Sequence, residues 1–312
     1  MKKIGWGVII GIVLVLTACQ GKPDQGKTLI IADQYGLAYA PLQVMQAKNF
    51  IQEIDPDLTI EWAKAGNTTA IREMMLAGKV DIGFMGIPPF LIARDKGMDW
   101  GIFTGLSQAP VGLVSSNSEI KSLEDIQGTD RIALPQPGSI QHILLAIAAE
   151  REFGDAGRFD QQLVTMKHPD GMSAMLAGQE LQLHFTSPPF IFMELKEAST
   201  HLVLSGQEAM GGPFTFIIGA VPKRVRDEKA ESLAVLKEAL QKAMVFMQDQ
   251  PEETIAILAE SYQLEPEQLK AYLENPELKY TNEIEGLETF IDFMDRNGYL
   301  ENEMTSDEVI WN

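Results

Sequence analysis

Polar and small residues stand at three places where a predicted strand gives way to a predicted helix. These places are Asn67-Thr68, Gly138-Ser139 and Ser187-Pro188-Pro189. The unpaired backbone amides and the positive dipole end of a helix N-terminus bind anions without any basic side chain. His142 lies one turn inside the helix that Ser139 would cap, on the same end as the free amides. The pattern predicts a binding site for a small ligand, with Gly138, Ser139 and His142 forming one half of it.

Two strings that match catalytic motifs lack the context that their chemistry needs. Residues 21–28, Gly-Lys-Pro-Asp-Gln-Gly-Lys-Thr, fit the phosphate-binding P-loop, but no strand precedes them and Thr28 is predicted to begin a strand. Ser118 and Lys121 fit the Ser-x-x-Lys of penicillin-binding enzymes, but the chain has no Lys-Thr-Gly sequence and no Gly-x-Ser-x-Gly elbow. We therefore predict no catalytic residue and no enzymatic activity.

The residue types that bind metals are few and scattered. None of the four histidines is spaced from another as His-x-x-His or His-x-x-x-His; they are His142, His168, His184 and His201. Cys19 is the only cysteine, so a disulfide within one molecule is impossible. We predict no metal site and no cofactor.

The N-terminus has the order of a secretory signal. Lys2 and Lys3 precede a short apolar run, residues 9–16, which is too short to span a membrane. The last four residues of the signal region, Leu16-Thr17-Ala18-Cys19, resemble the lipobox of bacterial lipoproteins. We predict that residues 1–18 are a signal peptide, that Cys19 is lipidated, and that residues 19–27 tether the protein to the outer face of the cytoplasmic membrane. The alternative is an ordinary signal peptide with an incidental cysteine.

The composition disfavours nucleic acid as a partner. The formal net charge is −19 for the 312 residues and becomes −21 when the signal removes Lys2 and Lys3. Phosphate binding needs a basic face, and this chain is acidic. A hydrophobic content of 45% provides enough apolar surface for one large or two medium domains.

Strands and helices alternate along most of the chain, which predicts an α/β fold. Residues 28–110 and 111–220 read as two α/β units of similar size, and residues 221–312 read as helical. One face of a long helix is predicted from apolar residues at three- and four-residue steps: Leu233, Leu236, Leu240, Met244 and Met247.

Several segments resemble the solute-binding proteins of the nitrate/sulfonate/taurine import family. The resemblance is carried by residues 76–83 (Leu-Ala-Gly-Lys-Val-Asp-Ile-Gly), 122–128 (Ser-Leu-Glu-Asp-Ile-Gln-Gly), 137–139 (Pro-Gly-Ser) and 175–178 (Met-Leu-Ala-Gly). It implies a two-lobed, type II periplasmic-binding-protein fold in which two crossing strands join the lobes. The crossings would lie near residues 111–115 and 214–221, at the two ends of lobe 2, and the C-terminal helices would pack back on lobe 1.

The same resemblance implies a set of ligand contacts in the turns of both lobes. They are Tyr35 to Tyr39, Asn67, Thr68, Gly86, Ile87, Ser139, His142 and Ser187. The helix termini favour a small anion, whereas Tyr35 and Tyr39 could wall a flat heterocycle. None of these turns contains an arginine, which weakens the case for a strongly charged ligand such as phosphate.

Three functions fit the resemblance. The first is a monomeric receptor that delivers its ligand to the permease of an ATP-driven (ABC) importer. The second is a lipid-anchored sensor domain. The third is an enzyme on the same fold, since pyrimidine-synthesis homologues resemble this family, but those carry a cysteine-rich segment that this chain lacks.

Overall fold

Two five-stranded sheets with the same connectivity organise the chain. The computed structural model describes residues 27–178 and 181–311. The first sheet has the order β2-β1-β3-β10-β4, in which β10 is antiparallel to both neighbours. Its strands are β1 (Thr28–Asp33), β2 (Thr59–Lys64), β3 (Ile82–Met85), β4 (Trp100–Ser107) and β10 (Ile217–Pro222).

The second sheet repeats this plan with the order β7-β6-β8-β5-β9. Here β6 runs parallel to β7 and β8, while β5 is antiparallel to β8 and β9. Its strands are β5 (Gly112–Ser115), β6 (Ile132–Leu134), β7 (Leu163–Thr165), β8 (Leu183–Thr186) and β9 (His201–Ser205). The two-lobed α/β fold of type II that the sequence predicts is confirmed.

Helices follow the parallel strands of each sheet. Lobe 1 contains α1 (Ala40–Ala47), α2 (Phe50–Ile54), α3 (Thr68–Leu76) and α4 (Ile87–Asp95). Lobe 2 contains α5 (Ile140–Phe153), α6 (His168–Ala177), α7 (Phe190–Glu194) and α8 (Gly206–Met210). The cap predicted at Ser139 is present, and of the two candidates Asn67 and Thr68 it is Asn67 that caps α3; each capping side chain accepts a hydrogen bond from the first turn of its helix.

The C-terminal third is helical and packs mainly on lobe 1, as predicted. Its helices are α9 (Lys223–Glu228), α10 (Ala230–Asp249), α11 (Pro251–Tyr262), α12 (Pro266–Leu273), α13 (Leu287–Arg296) and α14 (Ser306–Val309). Helix α10 lies against α1 and α2, and its predicted apolar face is buried.

The two crossings lie just before the strands that the sequence analysis assigned to them. The chain leaves the first sheet at Ser107 and joins the second at Gly112, and it returns between Met210 and Ile217. The two crossing segments are joined directly, since the amide of Phe216 donates to the carbonyl of Ser107 over 2.8 Å. The boundary predicted at residues 220 and 221 therefore falls inside β10, which belongs wholly to the first sheet.

Strand β4 is fully buried, yet the sequence analysis assigns no strand to these residues. Two glycines interrupt its apolar pattern, and each makes room for a distant segment. A Cβ on Gly105 would lie 2.3 Å from the carbonyl oxygen of Glu283, and one on Gly101 would lie 1.9 Å from the ring of Trp311. The C-terminal segments that cover β4 thus account for its irregular pattern.

Candidate functional site

The carboxyl ends of the parallel strands of the two lobes face each other across one cleft. The amide of Leu37, after β1, donates to the carbonyl of Pro188, after β8, over 3.3 Å. The hydroxyl of Thr69, at the start of α3, donates to Oε1 of Gln136, after β6, over 3.0 Å. In open α/β sheets ligands bind beyond the carboxyl ends of the strands, so this cleft is the candidate site.

In lobe 1 the residues predicted after β1 and β2 come together. Nε2 of Gln34 donates to the hydroxyl of Tyr39 over 3.0 Å and to that of Thr68 over 3.1 Å. Asn67 caps α3 by accepting a hydrogen bond of 2.9 Å from the amide of Ala70. Both hydroxyls and the Gln34 amide therefore form one polar surface at the carboxyl edge of the first sheet.

Tyr35 and Tyr39, which the sequence analysis treats alike, have opposite surroundings. Tyr35 is 73% exposed, and its ring lies 5.4 Å from the ammonium group of Lys64. Tyr39 is buried. Only Tyr35 is therefore free to cover a ligand that enters the cleft.

Asp33 is a buried carboxylate that the sequence analysis does not include among the site residues. Its Oδ2 accepts hydrogen bonds from Lys64 over 2.5 Å and from Gln43 over 3.1 Å. Its Oδ1 is buried and has no hydrogen-bond partner among the described residues. Burial raises the pKa of Asp33, against the opposing effect of Lys64. The lysine and the carboxylate neutralise each other, while Lys167 of lobe 2 brings a positive charge to the end of β2, where its Nζ would lie 3.9 Å from a Cβ on Gly66.

Two tyrosines from the C-terminal third hold the loop after β1. The hydroxyl of Tyr262 donates to the carbonyl of Gly36, and that of Tyr280 donates to the carbonyl of Leu37, each over 2.8 Å. Burial raises the pKa of both phenols, so both remain neutral donors. The return segment thus positions one wall of the cleft.

Gly86 and Ile87 begin α4 and contribute packing rather than polar groups. Ile87 is fully buried. A Cβ added to Gly86 would lie 3.5 Å from Cβ of Ile140, which belongs to lobe 2. These two residues bring the lobes into close contact beside the polar part of the cleft.

In lobe 2 the predicted pair of Ser139 and His142 is present, but protein groups occupy both ring nitrogens of the histidine. Nδ1 of His142 accepts from the amide of Gly138 over 2.9 Å, and Nε2 bonds Oδ1 of Asp160 over 3.0 Å. The ring also meets Tyr299 edge-on at 5.8 Å between centroids. His142 therefore has no free ring nitrogen to offer a ligand, and this geometry favours a role in holding the turn before α5.

Ser187 instead meets a histidine that the sequence analysis leaves unassigned. Nε2 of His168 lies 3.1 Å from Oγ of Ser187 and 3.3 Å from Nε2 of Gln141. These three residues follow β7, β8 and β6, the three parallel strands of the second sheet. The carboxyl edge of lobe 2 thus gathers its polar groups around His168, whose ring stacks on Phe190 at 5.8 Å.

A second histidine and a glutamate continue this contact into the interior of lobe 2. Nδ1 of His168 lies 3.1 Å from Nε2 of His184, and Nδ1 of His184 lies 2.6 Å from Oε1 of Glu194. His184 and Glu194 are both fully buried. Helix α6 approaches the ring so closely that a Cβ on Gly171 would lie 2.8 Å from Nε2 of His184.

Burial sets the charge of this chain of groups. It lowers the pKa of His184 to about 3 and the pKa of His168 well below its usual range, and it raises the pKa of Glu194 to about 8. Near neutral pH both rings are therefore neutral and Glu194 holds a proton.

A sequence repeat could have pointed to these residues. Residues 75–90 and 175–190 share Met-Leu-Ala-Gly at their start and Pro-Pro-Phe at their end, offset by 100 positions. They occupy equivalent places, from the end of α3 or α6 through β3 or β8 to the next turn. The offset aligns His168 with Thr68 and His184 with Phe84. His168 thus corresponds to Thr68, which belongs to the polar surface of lobe 1, and His184 corresponds to Phe84, which belongs to its core.

The described part of the chain contains neither a cluster of metal-binding side chains nor a membrane-spanning helix. Within residues 27–178 and 181–311, no three His, Cys, Asp or Glu side chains are arranged to hold a metal ion. In the same ranges, no helix has the length and apolarity needed to cross a membrane. Cys19 and most of the P-loop-like string lie outside the described residues, but Thr28 begins β1 as predicted.

A comparison with protein families decides the family. A family model described as menaquinone biosynthesis matches residues 63–296. The chain belongs to this family. The match includes α3, all of lobe 2 and most of the return segment. A search of curated protein sequences finds no match.

Solved structures confirm the fold that the sequence resemblance implies. The periplasmic aliphatic sulphonate binding protein SsuA from Escherichia coli superposes with a TM-score of 0.73 at 20% identity, over 91% of this chain and 97% of that one. The alkanesulfonate-binding protein SsuA from Xanthomonas axonopodis pv. citri, bound to MOPS, gives 0.77 at 19% identity, over 91% and 98%. A Candida albicans protein with the generic periplasmic binding protein fold gives 0.69 at 14% identity, over 90% and 93%.

The buried chain predicts a specific dependence of stability on pH. The folded protein keeps the proton of Glu194 up to about pH 8, whereas the unfolded chain releases it near the ordinary pKa of 4.5, so folding binds a proton in this interval. His184 and His168 have the opposite effect, which fades only as the pH rises past their ordinary value of 6.5. The contribution of Glu194 itself, which comparison with Glu194→Gln isolates, should lower the free energy of unfolding by up to about 1.4 kcal/mol per pH unit between pH 6.5 and pH 8.

Urea unfolding of the wild type and of Glu194→Gln across this interval measures the effect. The variant has no carboxyl group to titrate at this position, so the difference in stability between the two proteins should change with pH. Parallel stability curves would show that Glu194 is not held protonated by its burial.

Proposed function

We propose that the protein is an extracytoplasmic solute-binding lipoprotein that captures a small molecule between its two lobes. The observation that carries this proposal is the meeting of two polar carboxyl edges across the cleft, one around Thr68 and the other around His168 and Ser187. Two lobes joined by two crossing segments can close on a ligand by hinge rotation. The likeness in fold to sulfonate-binding proteins supports the same interpretation.

The proposed ligand is a small organic or inorganic anion of the sulfonate, nitrate or taurine kind, or a flat heterocycle. Helices α3, α5 and α6 all begin at the cleft, so their free amides can bind negative oxygen atoms. Exposed Tyr35 can cover a planar group. The lysine closest to the carboxyl end of β1 is bound to Asp33, so the amides, neutral hydrogen-bond donors and Lys167 before α6 would provide the anion's partners.

We further propose that the bound ligand is delivered to the permease of an ABC importer. In this scheme the protein is a monomer that Cys19 anchors to the outer face of the cytoplasmic membrane. The support is the order of the N-terminal sequence, in which basic residues, a short apolar run and a lipobox-like sequence precede strand β1, which begins at Thr28. A sensor domain on the same anchor would bind its ligand in the same cleft but would not need a permease.

An enzyme is the second candidate, because the chain belongs to the menaquinone biosynthesis family. The contact of the Ser187 hydroxyl with a histidine that is itself backed by His184 and Glu194 also resembles the arrangement of an activated nucleophile. Two prolines follow the serine, however, and their nitrogens carry no N–H group to stabilise an oxyanion. We therefore favour binding over catalysis.

Removal of the cleft hydroxyls should weaken binding without unfolding the protein. We expect Thr68→Val and Ser187→Ala each to lower affinity for the ligand by roughly fivefold to a hundredfold, since each removes one hydrogen-bond partner from a closed site. The ligand is first identified by mass spectrometry of the purified protein and by thermal-shift assays with taurine, MOPS, nitrate and heterocycles. Calorimetry then measures the affinities.

The matched control is Ser173→Ala, an exposed serine of α6 whose hydroxyl donates to the carbonyl of Pro169. Its affinity should equal that of the wild type. If Thr68→Val and Ser187→Ala also bind as the wild type does, the cleft is not the site.

The anchor is tested separately. Replacement of Cys19 by Ala removes the proposed lipidation site, so the protein should move from the membrane fraction to the soluble fraction of fractionated cells. Processed wild-type protein that is already soluble would contradict the lipoprotein assignment, whatever the outcome of the binding experiments.

A further inference from the structure

The chain of groups from Glu194 to His168 can carry its hydrogen bonds in either direction. When Glu194 holds a proton, Oε1 donates to Nδ1 of His184, Nε2 of His184 donates to Nδ1 of His168, and Nε2 of His168 carries a hydrogen. When Glu194 is ionised, every hydrogen bond reverses and Nε2 of His168 becomes an acceptor. The two states differ by one proton.

The groups at the cleft end of this series, around His168, are compatible with both directions of the hydrogen bonds. Nε2 of His168 has one donor or acceptor position, yet it faces both Ser187 and Gln141. A hydroxyl and a side-chain amide can each donate or accept. One of these two partners is therefore always available to a ligand, and neither fixes the direction of the chain.

The interior end of the chain favours the protonated state. Oε2 of Glu194 is buried and forms no hydrogen bond of normal geometry among the described residues; the nearby hydroxyl of Thr186 lowers the pKa of Glu194 less than burial raises it. A buried carboxylate with an unpaired oxygen is far more costly than a neutral carboxyl group in the same place. The pKa of about 8 that burial gives to Glu194 agrees with this preference.

Among the described residues, no charged side chain competes with this switch. His184 faces Glu194 from β8, and His168 lies beyond it at the start of α6. Strand β5, which packs on α7, has no titratable side chain, and His201 of β9 bonds the carbonyl of Ile120. The remaining charged residues of α6 and α7 and the turn after α7 are exposed, and none contributes to the pKa of Glu194: Lys167, Asp170, Lys196 and Glu197.

Lobe 1 shows that the fold does not need the hydrogen-bonded series from Glu194 to His168. Phe84 is fully buried at the position that corresponds to His184. Burial of a histidine and a glutamate in place of apolar side chains costs stability unless the polar groups have another use. Among the described residues, their hydrogen bonds reach the cleft through His168.

We propose that Glu194, His184 and His168 form a proton-linked switch, and that an anionic ligand binds together with one proton that Glu194 retains or takes up. This proposal rests on the proposed function and adds the chemistry of its ligand site. On proton uptake, the hydrogen on Nδ1 of His168 passes to Nε2 of His184, that on Nδ1 of His184 passes to Oε1 of Glu194, and the incoming proton binds Nε2 of His168. That nitrogen then donates to the hydroxyl of Ser187, whose own hydrogen is free to donate to a carboxylate or sulfonate oxygen beside the amides of α5 and α6. With a proton on Glu194 its carboxylate does not repel the anion, which helps a site with no arginine in its turns to bind one.

Histidine NMR of the ligand-free protein tests the switch itself. Two-bond nitrogen–proton spectra of protein with ¹⁵N-labelled histidine report which ring nitrogen carries the hydrogen. Between about pH 6 and pH 10 we expect His168 and His184 to change together from the Nε2–H to the Nδ1–H form, with one midpoint. His142 and His201 are internal controls, because the Gly138 amide and the Ile120 carbonyl hold both as Nε2–H forms.

The isosteric variant Glu194→Gln removes the titrating group and should abolish the change in both rings. Fixed tautomers in the wild type, separate midpoints for the two rings, or an unchanged switch in the variant would overturn the proposal.

Calorimetry with MOPS and taurine as probes, in buffers of different ionisation enthalpy, tests the link to the ligand. Above about pH 8 the wild type should take up close to one proton per probe and lose affinity roughly tenfold per pH unit, while Glu194→Gln should do neither. Binding without proton uptake would overturn the link. A tautomer switch in a protein that binds neither probe nor any other anion would instead contradict the proposed anionic ligand and leave the switch standing.

Discussion

The insertion of β10 between β3 and β4 is the constraint on which the rest of the structure depends. Because β10 is antiparallel to both neighbours, the chain must return from lobe 2 beside the strand by which it left. The hydrogen bond between Phe216 and Ser107 places the two crossings side by side. This geometry turns the carboxyl edges of both sheets towards one cleft. The return also brings Tyr262 and Tyr280 to the loop after β1, so the last third of the chain shapes a site built largely by the first two thirds.

The two lobes use the same frame for different chemistry. Their sheets have equivalent strand orders, and segments of similar sequence lie at equivalent places in α3 to α4 and in α6 to α7. In lobe 1 the polar groups of the cleft rest on an apolar core that includes Phe84. In lobe 2 they rest on His184 and Glu194, which are equally buried. Because the fold accepts either an apolar or a polar pair of buried side chains below the cleft, the ligand site can change while the fold is kept. This agrees with the presence of one fold in both a menaquinone biosynthesis family and sulfonate-binding proteins.

The sequence predicts the features that depend on local pattern. The alternation of strands and helices, the cap at Ser139 and the buried face of α10 all follow from neighbouring residues. Strand β4 is not predicted because its two glycines are explained only by the close approach of residues 283 and 311, which are far away in the sequence. His142 has the right position for a ligand contact, but Asp160 and the Gly138 amide, which pattern alone cannot pair with it, occupy its ring. His168 was the reverse case, since only the fold brings Gln141, Ser187 and His184 around it.

The central claim is that one ligand site is shared between Thr68 in lobe 1 and His168 in lobe 2. The most direct measurement is a crystal structure of the mature protein with the molecule that co-purifies with it or binds most tightly. The account predicts that this molecule lies between the lobes, with hydrogen bonds to the polar groups around Thr68 and to Nε2 of His168 or the neighbouring hydroxyl of Ser187. A ligand bound outside the cleft, or held by one lobe alone in a closed protein, would contradict it.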